Sequence, residues 1–148
     1  MAYPIFLDAN IPFYAAGRPH PLKQPSLHVL SLVAAHQSAF ITDAEVLQEI
    51  LHRYLAIGAW PQGHTTFTGF AGLMRGRIEP MTIDDVAQAA VLAGQHRGLS
   101  ARDLIHVAVM DRIGADTIVS ADRGFNRMAH INRLDPGDVT TWHRRLGL

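Results

Sequence analysis

The chain has 148 residues, with 13 Lys plus Arg against 13 Asp plus Glu, 9 His and no cysteine. This length suits one compact domain over residues 1–148 with a sizeable core, and the balanced charge excludes a chain-wide electrostatic grip on a polyanion. The lack of cysteine excludes thiol nucleophiles, disulfide scaffolds and Cys-ligated zinc. No stretch approaches the roughly 18 apolar residues of a membrane span, so a soluble cytoplasmic protein without membrane contact is expected.

Ile5 to Leu7 is a short apolar run of the kind that enters the middle of a sheet, and Asp8 stands where it leaves the core. A carboxylate beside a low-dielectric interior is costly unless a cation or several donors meet it. Asp8 is equally readable as the cap of a short helix that Pro12 helps to start. Ser26 to Ala35 carries Leu27, Leu30, Leu32 and Val33 and reads as a helix, followed by a second strand over Ala39 to Thr42.

Asp43 to Ile57 places Val46, Leu47, Ile50, Leu51, Tyr54 and Leu55 in a broad stripe at helical spacing. Glu45 stands three residues after Thr42 and completes the pattern of a capping box, whereas Glu49 faces away from the stripe and reads by periodicity as solvated. Gly58 and Pro61 break the pattern, His64 to Met74 reads as a further helix, and Arg77 to Pro80 is too short to assign.

Thr82 to Asp85 and Ser100 to Asp103 both fit the Ser/Thr-x-x-acid start of a helix. The second of these helices, Leu104 to Met110, is apolar nearly all round and so should be enclosed. His106 within it reads as a satisfied buried residue rather than a metal ligand. Asp103 is readable as part of its cap, but an enclosed carboxylate wants more than one donor. A third strand over Thr117 to Ser120 leads to Asp122, readable as a turn residue. A weaker strand around Ile131 to Leu134 precedes a helix start at Asp135-Pro136-Gly137-Asp138. Strands alternating with helices imply α/β architecture, a mostly parallel sheet covered on both faces.

In such sheets ligands bind beyond the carboxyl ends of the strands. Asp8, the Glu45/Glu49 pair, Asp103 and Asp122 come from four separate stretches that could meet there. Gathered carboxylates repel unless a cation sits among them, and Mg2+ or Mn2+ prefers such oxygen ligands together with phosphate oxygens. The implied chemistry is metal-assisted phosphodiester hydrolysis by activated water.

"FLDAN", "ITDAEVLQEIL", "LSARDLIHVAVM" and "IVSADRGF", in this order from Pro4 to about Met128, together resemble the PIN-domain ribonucleases, especially the toxins of VapBC-type pairs. The resemblance implies a three-layer α/β/α sandwich and a Mg2+-dependent endoribonuclease, with Mn2+ as possible substitute. It maps the metal and catalytic positions onto Asp8, Glu49, Asp103 and Asp122, choosing Glu49 over Glu45, and places Asn10 and Ser120 beside the acids. It also implies an RNA substrate, a cognate antitoxin and a homodimer.

Trp60 to Gly76 aligns with no motif, and RNA contact would rest on scattered residues such as Arg102, Arg123 and Arg127. The alternatives are a non-catalytic module of the same fold that binds RNA or protein, and a haloacid-dehalogenase-like phosphatase. The phosphatase needs an acid two residues after its nucleophile, where Asn10 stands. The chain lacks the His-x-x-x-His pair and the Gly-x-Ser-x-Gly elbow that a zinc or a serine hydrolase would need.

Overall fold

The computed structural model describes residues 4–148. Its centre is a five-stranded sheet in the order β3-β2-β1-β4-β5, built from β1 (Ile5–Leu7), β2 (Phe40–Asp43), β3 (Ile78–Glu79), β4 (Thr117–Val119) and β5 (Asn132–Leu134). Every strand pair is parallel, with Phe6 facing Ile41 on one side and Ile118 on the other. A strand between two parallel neighbours with helices above and below has no wet side, which is why β1 is buried at every residue.

Seven helices complete a three-layer α/β/α arrangement: α1 (Asn10–Ala16), α2 (Lys23–Ala35), α3 (Ala44–Ala56), α4 (Trp60–Leu73), α5 (Ile83–Gln95), α6 (Ala101–Ile113) and α7 (Val139–Arg145). Helices α1, α2 and α7 pack in succession, α3, α6 and α5 do the same, and α4 joins the two groups through α1 and α3. The core runs through the sheet as Phe6, Leu7, Phe40, Ile118 and Val119, with Val29, Val33, Ile50, Met74, Met110 and Phe125 from the helices and loops. Helix α6 is buried from His106 through Met110, as its uniformly apolar sequence requires.

Local chemistry sets the helix boundaries. The Thr82–Asp85 capping box forms in both directions, at 3.2 Å to the Asp85 amide and 2.8 Å to the Thr82 amide. At α6 only half of the expected box is present: Ser100 Oγ accepts from the Asp103 amide at 3.2 Å, and the Asp103 carboxylate accepts no bond from the Ser100 backbone amide in return. Helix α6 ends at Gly114, whose φ of 76° is the left-handed conformation that glycine adopts without a Cβ penalty.

Three readings of the sequence need correction. The Thr42–Glu45 capping box is absent, because Thr42 Oγ1 donates across the sheet to the Leu7 carbonyl at 3.0 Å while Asp43 caps α3 by accepting from the Val46 amide at 2.9 Å. Glu45 is buried and pairs with Arg102 at 3.8 Å. The helix expected from His64 starts instead at Trp60, because Pro61 occupies a first-turn position where its missing N–H costs nothing. Arg77 to Pro80 contains the edge strand β3, anchored by Arg77, whose Nε donates to the Phe40 carbonyl at 2.8 Å.

Candidate active site at the sheet's carboxyl edge

Strand order places β1 between β2, which follows it in sequence through α1 and α2, and β4, which arrives after the chain has crossed to the other side. The crevice outside the carboxyl ends of β1 and β4 is therefore the switch point of the sheet, where parallel α/β folds bind ligands. Asp8 stands at the end of β1 and Ser120 at the end of β4.

Asp8 is almost wholly buried. Its Oδ1 accepts from the Ala9 amide at 2.7 Å, and its Oδ2 accepts from Ser120 Oγ at 2.6 Å and from Asn10 Nδ2 at 3.2 Å. The reading of Asp8 as a helix cap does not hold, since no side chain caps α1. Asn10 also donates to Ser120 Oγ at 3.0 Å and accepts from the Ala121 amide at 3.2 Å, so it ties the loop after β4 to the start of α1. Burial pushes the Asp8 carboxyl above its usual value, against the opposing pull of His106 and the Ser120 hydroxyl.

Glu49 is half-buried rather than solvated. His106 explains the difference: its Nε2 lies 2.7 Å from Glu49 Oε1 and its Nδ1 lies 2.7 Å from Asp43 Oδ2, with the ring fully enclosed. A carboxylate oxygen on each side favours donation from both ring nitrogens, which is the imidazolium form. Burial opposes that charge, but Asp43, Glu49 and Asp8 together outweigh it and hold the ring well above the ordinary histidine range. Nε2 is also 3.8 Å from Asp8 Oδ1. The reading of His106 as a satisfied buried residue agrees with this geometry, and the cation that Asp8 needs is supplied in part by the protein itself.

Asp8, Glu49 and His106 each place one polar atom within 4.8 Å of the others, a spacing that could hold a metal ion. An imidazolium with both nitrogens donating has no lone pair for a metal. The donors left for an ion are the oxygens.

Asp103, in the first turn of α6, is the third acid of the cluster. Burial, followed by the negative charges of Asp8 and Asp122, pushes its carboxyl up to about 6. Asp122 is exposed in the loop after β4, and its Oδ1 accepts from the Gly124 amide at 2.8 Å, so the turn role read from the sequence is real and occupies one oxygen. Its amide in turn donates to Ser120 Oγ at 3.0 Å. Of the four acids read from the sequence, Asp8 and Glu49 meet around His106, Asp103 lies close enough to feel the charges of Asp8 and Asp122, and Asp122 sits exposed in the loop after β4.

One member of this network, Asp43, was not singled out from sequence, and the ion-pairing role of His106 was not read there. Asp43 ends β2 as Asp8 follows β1, so the strand-end rule that selects Asp8 also applies to it. His106 lies three residues after Asp103, which puts both on one face of α6.

Comparison with known proteins agrees with this architecture. The family model described as PIN domain matches residues 5–131. Ribonuclease VapC23 of Mycobacterium tuberculosis is 38% identical over 120 residues, covering 80% of this chain and 92% of that protein. VapC ribonuclease Mb1869c of Mycobacterium bovis is 37% identical over 130 residues, covering 88% of this chain and 98% of that protein. A chain in the crystal structure of VapBC2 from Rickettsia felis bound to a DNA fragment from their promoter superposes with a TM-score of 0.69 at 16% identity, over 88% of this chain and 97% of that one. FitAcB from Neisseria gonorrhoeae gives a TM-score of 0.67 at 21% identity, over 94% and 99% of the two chains. At these identities the solved structures speak for the fold.

Proposed function

The chain belongs to the PIN-domain family, and from that premise we propose that it is a Mg2+-dependent endoribonuclease, the toxin of a toxin-antitoxin pair, working through Asp8, Glu49, Asp103 and Asp122. The observation that carries this reading is the convergence of Asp8 and Glu49 within 4.8 Å of one another at the switch point of the sheet, with Asp103 close enough to be raised by the charge of Asp8. Such an arrangement raises the free energy of the metal-free protein and is relieved by a cation.

The donor set fits a hard divalent ion. It consists of carboxylate oxygens, two of them on acids held above their usual range, with no thiolate and with the nearby imidazole nitrogens already committed. Mg2+, with Mn2+ as substitute, suits such a site and commonly adds substrate phosphate oxygens to its shell. When bound, the ion supplies Lewis acidity to the phosphodiester and to the attacking water.

The protein's own groups do the positioning. Ser120 and Asn10 fix the Asp8 carboxylate, and His106 holds Glu49 beside it, so that neither acid has to be ordered when ion and substrate arrive. Asp103 is carried on the rigid buried helix α6. We read the 148 residues as one nuclease domain acting in the cytoplasm.

The relatives' names and the matched assemblies support an antitoxin as partner. An exposed apolar stripe on α5, where Ile83 is 80% and Val91 is 53% exposed, supports pairing with a second copy.

Cleavage of a mixed panel of structured and single-stranded RNAs by antitoxin-free protein tests the reading, with Mg2+, Mn2+ or EDTA and with Asp8→Asn and Asp103→Asn alongside. Metal-dependent cutting lost in both variants is the expected result. Parent-like cutting by both variants would refute the site. No cutting by the parent together with no Mn2+ binding in calorimetry would leave a non-catalytic binding module.

A further inference from the structure

Beside the carboxylates lies a cleft of about 650 Å³ lined by α1, the loop after it, the C-terminal half of α3 and the start of α4. Its size falls within the roughly 300–1,000 Å³ of small-ligand sites. One of its lining residues is Asn10, which hydrogen-bonds Asp8 and Ser120, so one side chain separates the cleft from the acids. One wall carries Tyr14 and His20, whose rings stack with centroids 4.6 Å apart at 30°. The other carries Arg53, four residues after Glu49 on the same face of α3, its guanidinium 5.0 Å from the centre of the Phe13 ring. Arg18 stands at the rim, and Gln62 Nε2 closes the far end by donating to the Ala16 carbonyl at 3.2 Å.

Charge is distributed unevenly here. No lining residue is acidic, and neither Arg53 nor Arg18 meets a carboxylate among the described residues. In a chain with zero formal net charge, an arginine-bearing aromatic cleft touching a carboxylate cluster is a local exception. Unpaired bases stack on aromatic and guanidinium planes, and guanidinium forks match phosphate oxygens.

We propose that this cleft is the subsite for an unpaired nucleotide of the RNA strand adjoining the cleaved bond. Arg53 and Arg18 take its phosphate, and the Tyr14–His20 pair takes its base. The inference rests on the ribonuclease reading above and deepens it by naming the residues of this chain that hold the nucleotide next to the cleaved bond. A duplex keeps its bases stacked on each other and cannot offer one to the cleft.

Binding is the test, because it does not need cleavage. Fluorescence anisotropy of a labelled mixed-sequence single-stranded oligoribonucleotide is measured in EDTA for the parent, Arg53→Gln, Arg18→Gln and His20→Ala. All three positions are exposed, and Arg75→Gln on the α4–β3 turn is the charge-matched control. Arg53→Gln and His20→Ala should each weaken binding about tenfold, with the control near parental, melting and Mn2+ affinity unchanged, and the two arginine variants giving a shallower salt slope. Where the parent cuts RNA, the same variants should raise KM while leaving kcat within about threefold of the parent.

Equal losses in Arg53→Gln and Arg75→Gln, or no loss in His20→Ala, would overturn the subsite even if cleavage is metal-dependent. A parent that never cuts but loses RNA binding in these variants would overturn the ribonuclease reading and leave the subsite standing. Tighter binding of a polyglutamate peptide than of RNA would assign the cleft to an acidic protein segment and overturn the proposal.

Discussion

His106 Nε2 and Glu49 Oε1 are 2.7 Å apart, across a contact between α6 and α3, and the opposite ring nitrogen is held equally closely by Asp43. One imidazolium therefore ties the carboxyl end of β2 to the acid that faces Asp8. Replacing it with a side chain of similar bulk in His106→Leu leaves Asp43 buried without its partner, and breaking such a pair from one side costs about 3–5 kcal/mol. The pH dependence has a definite sign. The ring's contribution is complete below the unfolded histidine value of 6.5 and is lost as pH rises through its raised folded value. Thermal melts of metal-free protein should thus show an alkaline decline that His106→Leu lacks, and an unchanged decline in the variant would place its origin elsewhere.

Asp103 contributes with the same sign at lower pH, because the folded chain also binds its proton more tightly: the acid is held up to about 6 from an ordinary 3.8. The unfolded chain releases this proton first, so the metal-free protein loses stability as pH rises from 3.8 to about 6, and Asp8 adds to the trend because its carboxyl is also raised. Asp103→Asn should flatten that fall and melt higher than the parent at neutral pH in EDTA. Asn keeps the backbone amide that donates to Ser100 Oγ, so the cap itself survives the loss of charge. Added Mn2+ should raise the parent's melting temperature near neutrality and progressively less below pH 6, where the proton competes with the ion. A lower melting temperature for Asp103→Asn in EDTA would assign the carboxylate a structural role.

How far the sequence carried this picture depended on whether a residue's role was local. The strand-helix alternation, the Thr82 capping box and the enclosure of α6 follow from periodicity and neighbouring residues, and each is present. Glu49 shows the opposite case. The helical wheel turns it away from the apolar stripe of α3, and only the family resemblance selected it. Its partner lies 57 residues away on another helix, where no local pattern reaches. Glu45 misled for the same reason: Thr42 is spaced for a cap, but a carbonyl 35 residues away claims its hydroxyl. The five-stranded order, with a two-residue edge strand β3, was likewise invisible because so short a strand has no period to detect.

Ser26 Oγ, in the first turns of α2, is buried and has no hydrogen-bond partner among the described residues. An unpaired buried hydroxyl carries its desolvation cost with nothing in return. Ser26→Ala removes the oxygen, improves helix propensity and leaves a void of only one atom. The variant should gain about 1 kcal/mol in denaturant unfolding, with Mn2+ affinity and RNA cleavage at parental levels. A loss of stability would mean that an ordered water or a partner satisfies this hydroxyl.

Gly63 sets how closely α4 can lie on α3. It is buried in the first turns of α4, its amide donates to the Ala59 carbonyl at 2.9 Å, and a Cβ built there would overlap Cβ and the ring of Tyr54. Tyr54 is itself buried, with its ring 5.9 Å from that of Phe13, so it cannot swing aside without disturbing α1. The added methyl must then push α4 outward, an overpacking cost of about 1–3 kcal/mol that outweighs the gain in helix propensity. Because Tyr54, Ala59 and Gln62 all line the cleft beside Asn10, the same displacement should widen it and separate Gln62 from the Ala16 carbonyl. Gly63→Ala is therefore expected to lower the melting temperature and weaken binding of single-stranded RNA together, while Mn2+ affinity at the carboxylates, none of which lines the displaced wall, stays parental. If stability falls and RNA binding does not, the α3–α4 contact supports the fold without shaping the cleft.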